Sequence, residues 1–374
     1  MQIYVFDLMP WPHLKERSVY PDPNSLYDPI LGQNIYREHF DMFQAIEDLG
    51  FDGLCFNEHH SAPYGLMPSP NLVAAAITQR TRHIKIVIAG NLPALHAHPV
   101  RLAEEIAMLD VMSGGRIISG FVRGLPREYL ALNVSMDEAR ERFDEAWDLI
   151  IKAWTEREPF AWHGKYFHYE RVSIWPRPLQ QPHPPIIMPA ESETSQKVAA
   201  RRRAGSGTTY RTLEQSKKSL DSFRRLARAE GWDPTPEDCF CLRPIYVAET
   251  NAKAREEAAE HHDYLWQKLL SNTIGTNEIM SAGQLKAADN TARGYDRQLW
   301  EVDHDFANQE GMSIIGDPDF VTEKLLHQCD YMGVGTFMGL FQFGSMPIEM
   351  AMKNLKMFAE HVLPTVHQHT VRSV

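Results

Sequence analysis

The sequence predicts an α/β fold, a (β/α)8 TIM barrel of eight parallel strand–helix units. Short apolar runs alternate with longer segments whose apolar residues recur at helical spacing, as in parallel sheets crossed by helices. Several of these runs are almost continuously apolar, which is typical of parallel strands buried on both faces. The length of 374 residues suits one barrel with insertions. The same alternation also allows an open, doubly wound sheet, which is the rival architecture.

The strands follow from the apolar runs and the helices from the segments between them. The predicted strands are residues 3–9, 53–57, 84–89, 117–121, 185–188, 206–210, 240–247 and 334–341. The predicted helices are residues 33–49, 70–79, 99–112, 137–154, 192–203, 213–230 and 347–362. Gly50 ends the first helix as a C-terminal glycine does, and Pro70 suits the first turn of the second.

Three long connections interrupt this rhythm. We therefore expect one domain over residues 1–374, with insertions near residues 10–32, 155–184 and 251–316. Loops of this length are usually functional or disordered. The last connection is mainly helix-like and predicts a helical lid-like segment, because it contains apolar residues to bury. These are Tyr264, Leu265, Trp266, Leu269 and Leu270.

Composition indicates a soluble globular protein, with 43% hydrophobic and 23% charged residues. A net charge of −11 argues against binding of nucleic acid, which needs a basic face. No uncharged apolar run approaches the roughly 20 residues of a membrane span, and residues 1–12 lack the features of a signal peptide. We therefore expect a cytoplasmic protein. The four cysteines form no Cys-x-x-Cys pair, so we expect buried free thiols.

Polar residues follow four of the predicted strands at their carboxyl ends. In a barrel these ends converge on one rim, where the active site lies. The candidates are Glu58, His59, His60, Asn91, Arg123, Ala190, Glu191, Ser192, Thr194 and Ser195.

Two of these features predict an anion site. Arg123 precedes Gly124, and its guanidinium can bind a phosphate through two hydrogen bonds. Residues 190–195 open a helix directly after a strand, where hydroxyls and free N–H groups bind anions. One phosphate bound by both suits a mononucleotide such as FMN. No Gly-x-Gly-x-x-Gly follows the first strand, so the dinucleotide fingerprint is absent.

Taken in order, several segments resemble the bacterial luciferase-like, flavin-dependent monooxygenases. The segments include Asn57-Glu58-His59-His60, Gly90-Asn91-Leu92-Pro93 and Gly120-Phe121-Val122-Arg123-Gly124. The match runs over about residues 51–154, resumes at 181–186 and 316–364, and is weak in the lid-like segment. The chain is similar to the broad family rather than to a true luciferase subunit, because Val122 stands where luciferase has a cysteine beside the flavin.

The resemblance implies a role for each candidate. In the family, the first histidine of the Glu-His-His element is catalytic, which assigns catalysis to His59 with Glu58 and His60 beside it. The family's arginine and Glu-Ser elements bind the flavin phosphate. They correspond here to Arg123, and to Glu191 and Ser192 with either Thr194 or Ser195. The segment of Asn91 lies near the flavin in the family. Three aromatic residues, which can line a substrate pocket or pack in the core, are Trp11, Phe56 and Trp175.

The implied function is that of a two-component monooxygenase. Reduced FMN would come from a separate NAD(P)H-dependent flavin reductase and react with O2 through a flavin peroxide. A small apolar organic substrate would then be hydroxylated, epoxidised or oxidised by Baeyer–Villiger chemistry. Barrels of this family are often homodimers or larger, so we expect a homo-oligomer.

Three other functions remain open on the same residues. A deazaflavin-dependent oxidoreductase has this fold and transfers hydride instead of oxygen. A metal-dependent TIM-barrel hydrolase would use a pair such as His96 and His98, although such pairs usually end the first strand. A non-catalytic flavin-binding protein would hold oxidised flavin without turnover. We expect no bound metal.

Overall fold

Eight parallel strands close into a barrel in the computed structural model, which describes residues 1–18, 21–270 and 301–371. The strands, numbered along the chain, are β1 Gln2–Asp7, β2 Gly53–Phe56, β3 Lys85–Asn91, β4 Ile117–Phe121, β5 Phe160–His163, β6 His168–Val172, β7 Ile186–Pro189, β8 Gly205–Thr209, β9 Cys239–Val247, β10 Ile314–Gly316 and β11 Thr336–Leu340. The barrel runs in the order β11, β1, β2, β3, β4, β7, β8 and β9, and β9 pairs with β11 to close it. The predicted fold class is therefore confirmed, and the open sheet is excluded.

Helices cover the outside of the barrel. They are α1 Pro29–Asp48, α2 Pro70–Arg80, α3 Pro99–Ser113, α4 Pro126–Ala131, α5 Ala139–Thr155, α6 Glu193–Arg201, α7 Leu213–Ala229, α8 Asn251–Asp263, α9 His304–Gln309, α10 Pro318–Met332, α11 Ile348–His361 and α12 Leu363–Gln368. Helix α1 begins four residues earlier than predicted, because the Asp28 side chain accepts hydrogen bonds from the Ile30 and Leu31 amides.

The core lies between the strands and the helices, as the continuous apolar runs predicted. Every residue of β9 and β11 is buried, which explains why neither strand alternates in hydrophobicity. All four cysteines are buried and free, so the prediction for the thiols is confirmed.

The connection at residues 155–184 contains a hairpin that the sequence analysis did not predict. Strands β5 and β6 pair in antiparallel fashion outside the barrel. The carboxylate of Glu145 on α5 accepts hydrogen bonds from the Trp162 indole and from the backbone amides of Lys165, Tyr166 and Phe167. The single carboxylate of Glu145 thus holds the turn in place. Contacts between residues this far apart in sequence are not visible in a local sequence pattern. Helix α10, between β10 and β11, was also not predicted.

The lid-like segment is helical where the structure describes it. Helix α8 continues into a π-helix at Tyr264–Leu270, and the five apolar residues named for this segment are buried. The Tyr264 hydroxyl accepts a hydrogen bond from the Leu14 amide and donates one to the Trp11 carbonyl. The segment therefore packs on the first long connection. Residues 271–300 of the predicted lid lie outside the described residues.

Candidate active site

A cavity of about 310 Å³ opens at the carboxyl ends of the strands, and we call it the carboxyl-end cavity. Its volume is at the lower end of the roughly 300–1,000 Å³ usual for small-molecule sites. The loops after β2 and β4 and the start of α6 contribute its polar wall. The predicted residues that line it are Glu58, His59, Arg123, Glu191, Ser192 and Ser195.

His59 forms a close pair with a carboxylate. Its Nδ1 lies 2.6 Å from Oε1 of Glu128, whose side chain is almost fully buried. A carboxylate only accepts hydrogen bonds, so Nδ1 carries the hydrogen and Nε2 is left as a bare acceptor. No described residue is hydrogen-bonded to that Nε2.

The electrostatics keep His59 neutral and Glu128 ionised. Burial lowers the pKa of His59, and the charge of Glu128 opposes this only in part. Burial alone would raise the pKa of Glu128, but His59, Arg127 and the Leu125 amide outweigh it, and that pKa is lowered. A neutral imidazole with a fixed tautomer can accept a proton at Nε2 near neutral pH.

Glu58 and His60 form a second pair. Oε1 of Glu58 lies 3.0 Å from Nε2 of His60, and Oε2 accepts a hydrogen bond from Nδ2 of Asn91 at 3.1 Å. Burial opposes the protonation of His60, but Glu58 outweighs it and the pKa of His60 is raised. The two histidines therefore differ, since His60 favours the imidazolium form that His59 resists.

Asn91 lies behind the cavity wall instead of in it. Its amide contacts Glu58 and Asn71, and it does not line the carboxyl-end cavity. The prediction that Asn91 faces a cofactor is thus not supported by the geometry. The preceding Ala89-Gly90 peptide bond is cis, and both residues line the cavity. A Cβ atom at Gly90 would overlap the carbonyl oxygen of Gly120, so only glycine fits there.

Arg123 supplies the cation predicted for the site. Its backbone carbonyl accepts a hydrogen bond from the Tyr129 hydroxyl, which holds the chain after β4. Across the described ranges, its guanidinium makes no hydrogen bond or ion pair, and burial lowers its pKa from the ordinary value. A partly buried guanidinium that forms no ion pair with a described residue favours an anionic ligand.

The start of α6 supplies the hydroxyls. Ser192 caps this helix by accepting a hydrogen bond from the Ser195 amide at 3.2 Å, and the Ser195 hydroxyl donates to the Ser192 carbonyl at 2.8 Å. Both side chains line the same cavity as Arg123. The remaining amides of a first helical turn lack intrahelical partners, so this end of the cavity is suited to an anion.

Glu191 is oriented differently from the expectation. Its Oε1 accepts hydrogen bonds from the amide and hydroxyl of Thr209, and its Oε2 pairs with Nε of Arg211 at 2.8 Å. The carboxylate is thus used to join β8 to α6. A carboxylate and a phosphate are both negative, so this side chain does not favour direct phosphate contact, and the role of Glu191 in cofactor binding stays a prediction.

Besides His60 and Asn91, five predicted residues do not line the carboxyl-end cavity. Ala190 is buried and Thr194 is exposed, so Ser195 is the second hydroxyl of the site. Phe56 is fully buried and packs against Phe43. Trp11 lines a separate cavity of about 170 Å³. The prediction for Trp175 is wrong, because its side chain is 88% exposed and lines no part of the carboxyl-end cavity.

Sequence reasoning missed Glu128 and two tyrosines. Leu125-Pro126-Arg127-Glu128 has proline and glutamate at the first and third positions of α4, a helix-start signal that could have been used. The Tyr64 ring lies edge-on to His59 at 4.7 Å, and its hydroxyl lies 3.3 Å from that of Tyr210. Burial raises the pKa of Tyr64 to about 12, so this phenol stays protonated. No local pattern marks either tyrosine.

The residues considered for metal binding have a different setting. Nε2 of His96 is buried without a partner, and Nδ1 of His98 lies 3.5 Å from the Tyr169 hydroxyl. Within the described ranges, no three His, Cys, Asp or Glu side chains are grouped to hold a metal ion. In the same ranges, no helix is both long enough and apolar enough to span a bilayer.

The chain that forms this barrel, with its histidine–carboxylate pair at the carboxyl end, belongs to the luciferase-like monooxygenase family. Residues 21–335 match the model of that family, which covers most of the chain. The chain is therefore a member of a family of oxidoreductases that use O2, as the resemblance implied.

Three comparisons place the chain within the family. It is 35% identical over 328 residues to an uncharacterised protein of Sinorhizobium fredii, covering 85% of this chain and 88% of that protein. It is 28% identical over 248 residues to the oxygenase component of a flavin-dependent trigonelline monooxygenase of Acinetobacter baylyi, covering 65% and 68%. A monooxygenase from Streptomyces bottropensis superposes with a TM-score of 0.76 at 28% identity, covering 97% and 99% of the two chains.

Proposed function

We propose that this protein is the oxygenase component of a two-component monooxygenase. It would take reduced FMN from a separate NAD(P)H-dependent flavin reductase and use O2 to oxygenate a small apolar organic substrate, by hydroxylation, epoxidation or Baeyer–Villiger oxidation. The observation that carries this proposal is that one cavity holds both the bare Nε2 of a neutral His59 and the guanidinium of Arg123, which forms no ion pair with a described residue.

The cavity fits a flavin mononucleotide by the chemistry of its donors. Arg123 and the first turn of α6, with Ser192 and Ser195, offer one cation and several hydrogen-bond donors to one phosphate. Glu191 supports them by tying α6 to β8. When bound there, reduced FMN supplies the electron pair that the reduction of O2 requires.

His59 would act as the proton-handling group of this reaction. Its Nδ1–H is held by Glu128, so only Nε2 can take up or return a proton in the cavity. The Tyr64 ring packs against the imidazole and limits its rotation. The phenol of Tyr64, whose pKa is raised to about 12, can donate a hydrogen bond to a reacting oxygen.

The rest of the cavity wall excludes water. Its apolar side chains come from the barrel strands and from the end of the π-helix, and they are Phe6, Met188, Phe240, Leu242, Leu270 and Met338. Such a wall favours a small apolar substrate and limits the loss of activated oxygen to water. Leu270 ends the described part of the lid-like segment, so this segment contributes directly to the wall.

The proposed partners are the reductase and a second copy of the chain. The trigonelline relative is named as an oxygenase component, which supports a separate source of reduced flavin. Helices α2 and α3 expose Leu72 at 73%, Met108 at 46% and Val111 at 45%, which supports a homodimer or larger oligomer through this face. Light scattering on the purified protein, with a Leu72→Glu variant, tests this. If the wild-type protein is a monomer, the proposed oligomer is refuted.

Arg123→Gln tests the phosphate site. Loss of one charge-assisted contact should weaken FMN binding by about 1.5–3 kcal/mol, or roughly 10- to 150-fold. Riboflavin, which lacks the phosphate, should bind wild type and variant alike. Fluorescence titration with both flavins gives the comparison, and a matched Arg203→Gln variant at the opposite end of the barrel serves as the control. Equal losses of affinity for FMN and riboflavin would refute the role of Arg123 in phosphate binding.

A further inference from the structure

A chain of hydrogen bonds leads from Glu58 in the cavity wall to the surface of α3. Oε2 of Glu58 accepts from Nδ2 of Asn91 at 3.1 Å, and the same nitrogen donates to Oδ1 of Asn71 at 3.2 Å. Nδ2 of Asn71 then donates to Oε2 of Glu105 at 2.9 Å. Glu105 also accepts from Nε of Arg101 at 3.0 Å. Five side chains, from the loop after β2, from β3, from α2 and from α3, are thereby joined.

The two carboxylates at the ends of this hydrogen-bond network determine which groups in it donate and which accept. Glu58 and Glu105 are carboxylates and can only accept, so the two amides between them must donate outward at both ends. Asn71 therefore turns its nitrogen to Glu105 and its oxygen to Asn91. Asn91 must then use both amide hydrogens, one for Asn71 and one for Glu58. Its own Oδ1 is buried and accepts no hydrogen bond from a described residue.

The direction of these hydrogen bonds matters because the residues that form them are buried. Glu58, Asn91 and Asn71 are all buried, so water cannot replace a lost donor. If Asn71 reversed its amide, Asn91 would have to present oxygen to Asn71. That oxygen would also face Oε2 of Glu58, and a buried carboxylate would gain a repulsive neighbour in place of a donor. Glu105 prevents this reversal, although its side chain is 31% exposed and lies outside the cavity.

We propose that Asn71 and Glu105 are positioning residues, which act through Asn91 to hold Glu58, in the cavity wall, in its pair with His60. Neither residue touches the cavity. The proposal rests on the proposed function only in treating Glu58 as part of the reaction site. A purely structural role, in which these bonds tie α2 to α3, would not alter the titration of Glu58.

The test reverses the charge at the outer end and follows the carboxyl of Glu58 in the flavin-free protein. Carbon-13 NMR, with Glu58→Gln to assign the signal, measures the pKa of Glu58 in wild type, Glu105→Gln and Glu105→Lys. Glutamine can still accept from Asn71 through its amide oxygen, whereas lysine can only donate. Glu104→Lys makes the same charge change one residue away, without a hydrogen bond to the chain.

The two explanations predict opposite signs. By Coulomb's law alone, a new cation should lower the pKa of Glu58 in Glu105→Lys and in Glu104→Lys. We expect instead that Glu105→Lys raises it by about 1 unit or more, the order of one lost charge-assisted hydrogen bond. Glu105→Gln should stay near wild type. An unchanged or lowered pKa in Glu105→Lys would overturn the proposal, even if the protein proves to be the proposed monooxygenase.

A second readout links the chain to turnover. Glu105→Lys should lower product formation per reduced FMN oxidised while its FMN dissociation constant stays at the wild-type value. A raised pKa of Glu58 in a protein that oxygenates nothing would uphold the positioning and refute the function. Normal oxygenation by a Glu105→Lys variant with an unshifted pKa of Glu58 would uphold the proposed function and refute the positioning role.

Discussion

The two ends of the barrel carry cavities of different size and different chemistry. The amino-end cavity, between the first residues of the strands and α5, has a volume of about 720 Å³, more than twice the 310 Å³ of the carboxyl-end cavity. Its lining includes Arg202, whose guanidinium is already paired with Asp148 and Asp144. In the smaller cavity, Arg123 has no such partner among the described residues and His59 has a lowered pKa.

The difference shows that volume does not identify the site in this barrel. The amino-end cavity is lined by the first residues of the strands, by α5 and by the end of the long connection at residues 155–184. At the carboxyl end, the loops after β2, β4 and β7 line the cavity and place charged side chains where they are at least partly buried. Charged groups that are buried without complete compensation are costly, so they indicate a ligand or a reaction. Variants of residues in the two cavities test that distinction.

Replacing His59 should have the largest effect. His59→Ala removes the proton acceptor at Nε2 and should lower oxygen transfer by roughly 10²- to 10⁴-fold, the range for a positioned acid–base group. FMN binding should be nearly unchanged, because the phosphate site is elsewhere in the cavity. Product formation and hydrogen peroxide release per reduced FMN measure the effect. The control is His183→Ala in the amino-end cavity, which should retain full activity. Equal losses in both variants would contradict the comparison.

Glu128→Gln should have the next largest effect. The amide still fits the buried site, but it does not enforce the Nδ1–H tautomer, so we expect a loss of roughly 10- to 100-fold. Glu128 raises the pKa of His59 against the effect of burial. Without that charge the pKa of His59 should fall further, and the acid limb of the pH–rate profile should move to lower pH. A limb that moves to higher pH would show that Glu128 does not act on His59.

The wild-type pH profile tests the same pair. The neutral form of His59 is the active one, and burial places its pKa below the ordinary 6.5. The midpoint of the acid limb should therefore lie below pH 6.5, provided that FMN saturates the protein. A decline centred above 6.5 would mean that His59 is stabilised as an imidazolium or that His60 limits the reaction.

Gly124→Ala should have a smaller effect, on stability as well as on the site. Gly124 has φ +88°, and an added Cβ would lie 3.1 Å from Oε2 of Glu128. Left-handed backbone costs an L-residue roughly 1–2 kcal/mol, so thermal unfolding should show a loss of that order. Gly231→Ala, also at positive φ but with open space around it, is the matched control. A similar loss in stability is expected there, with no change in activity.

The barrel was predictable from the sequence because its signals are local and repeated. Each of the eight predicted strands overlaps an observed barrel strand, since buried parallel strands are continuously apolar. The hairpin β5–β6 was missed because Trp162 and the turn amides depend on Glu145, which precedes them by 17 to 22 residues. Such a contact leaves no periodic pattern in the segment that it orders.

For the candidate site, the sequence predicted which residues lie near the strand ends, but not which of their side chains face the cavity. His59, Arg123 and Ser192 follow strands and share one cavity. Glu191 and Asn91 also follow strands, but their side chains are used by Thr209, Arg211 and Asn71. Side-chain orientation depends on partners that are distant in sequence. The roles of all these residues in catalysis stay predictions until the variants are measured.

The most direct test of the central claim is a comparison of oxygen uptake with hydrogen peroxide release. Protein loaded anaerobically with reduced FMN is mixed with oxygenated buffer, and both gas and peroxide are followed against time. We predict that the wild type takes up O2 well before it releases peroxide, and that His59→Ala releases peroxide as quickly as O2 is consumed. Peroxide release from the wild type that matches free reduced FMN would contradict oxygen activation and favour the deazaflavin enzyme or the metal hydrolase.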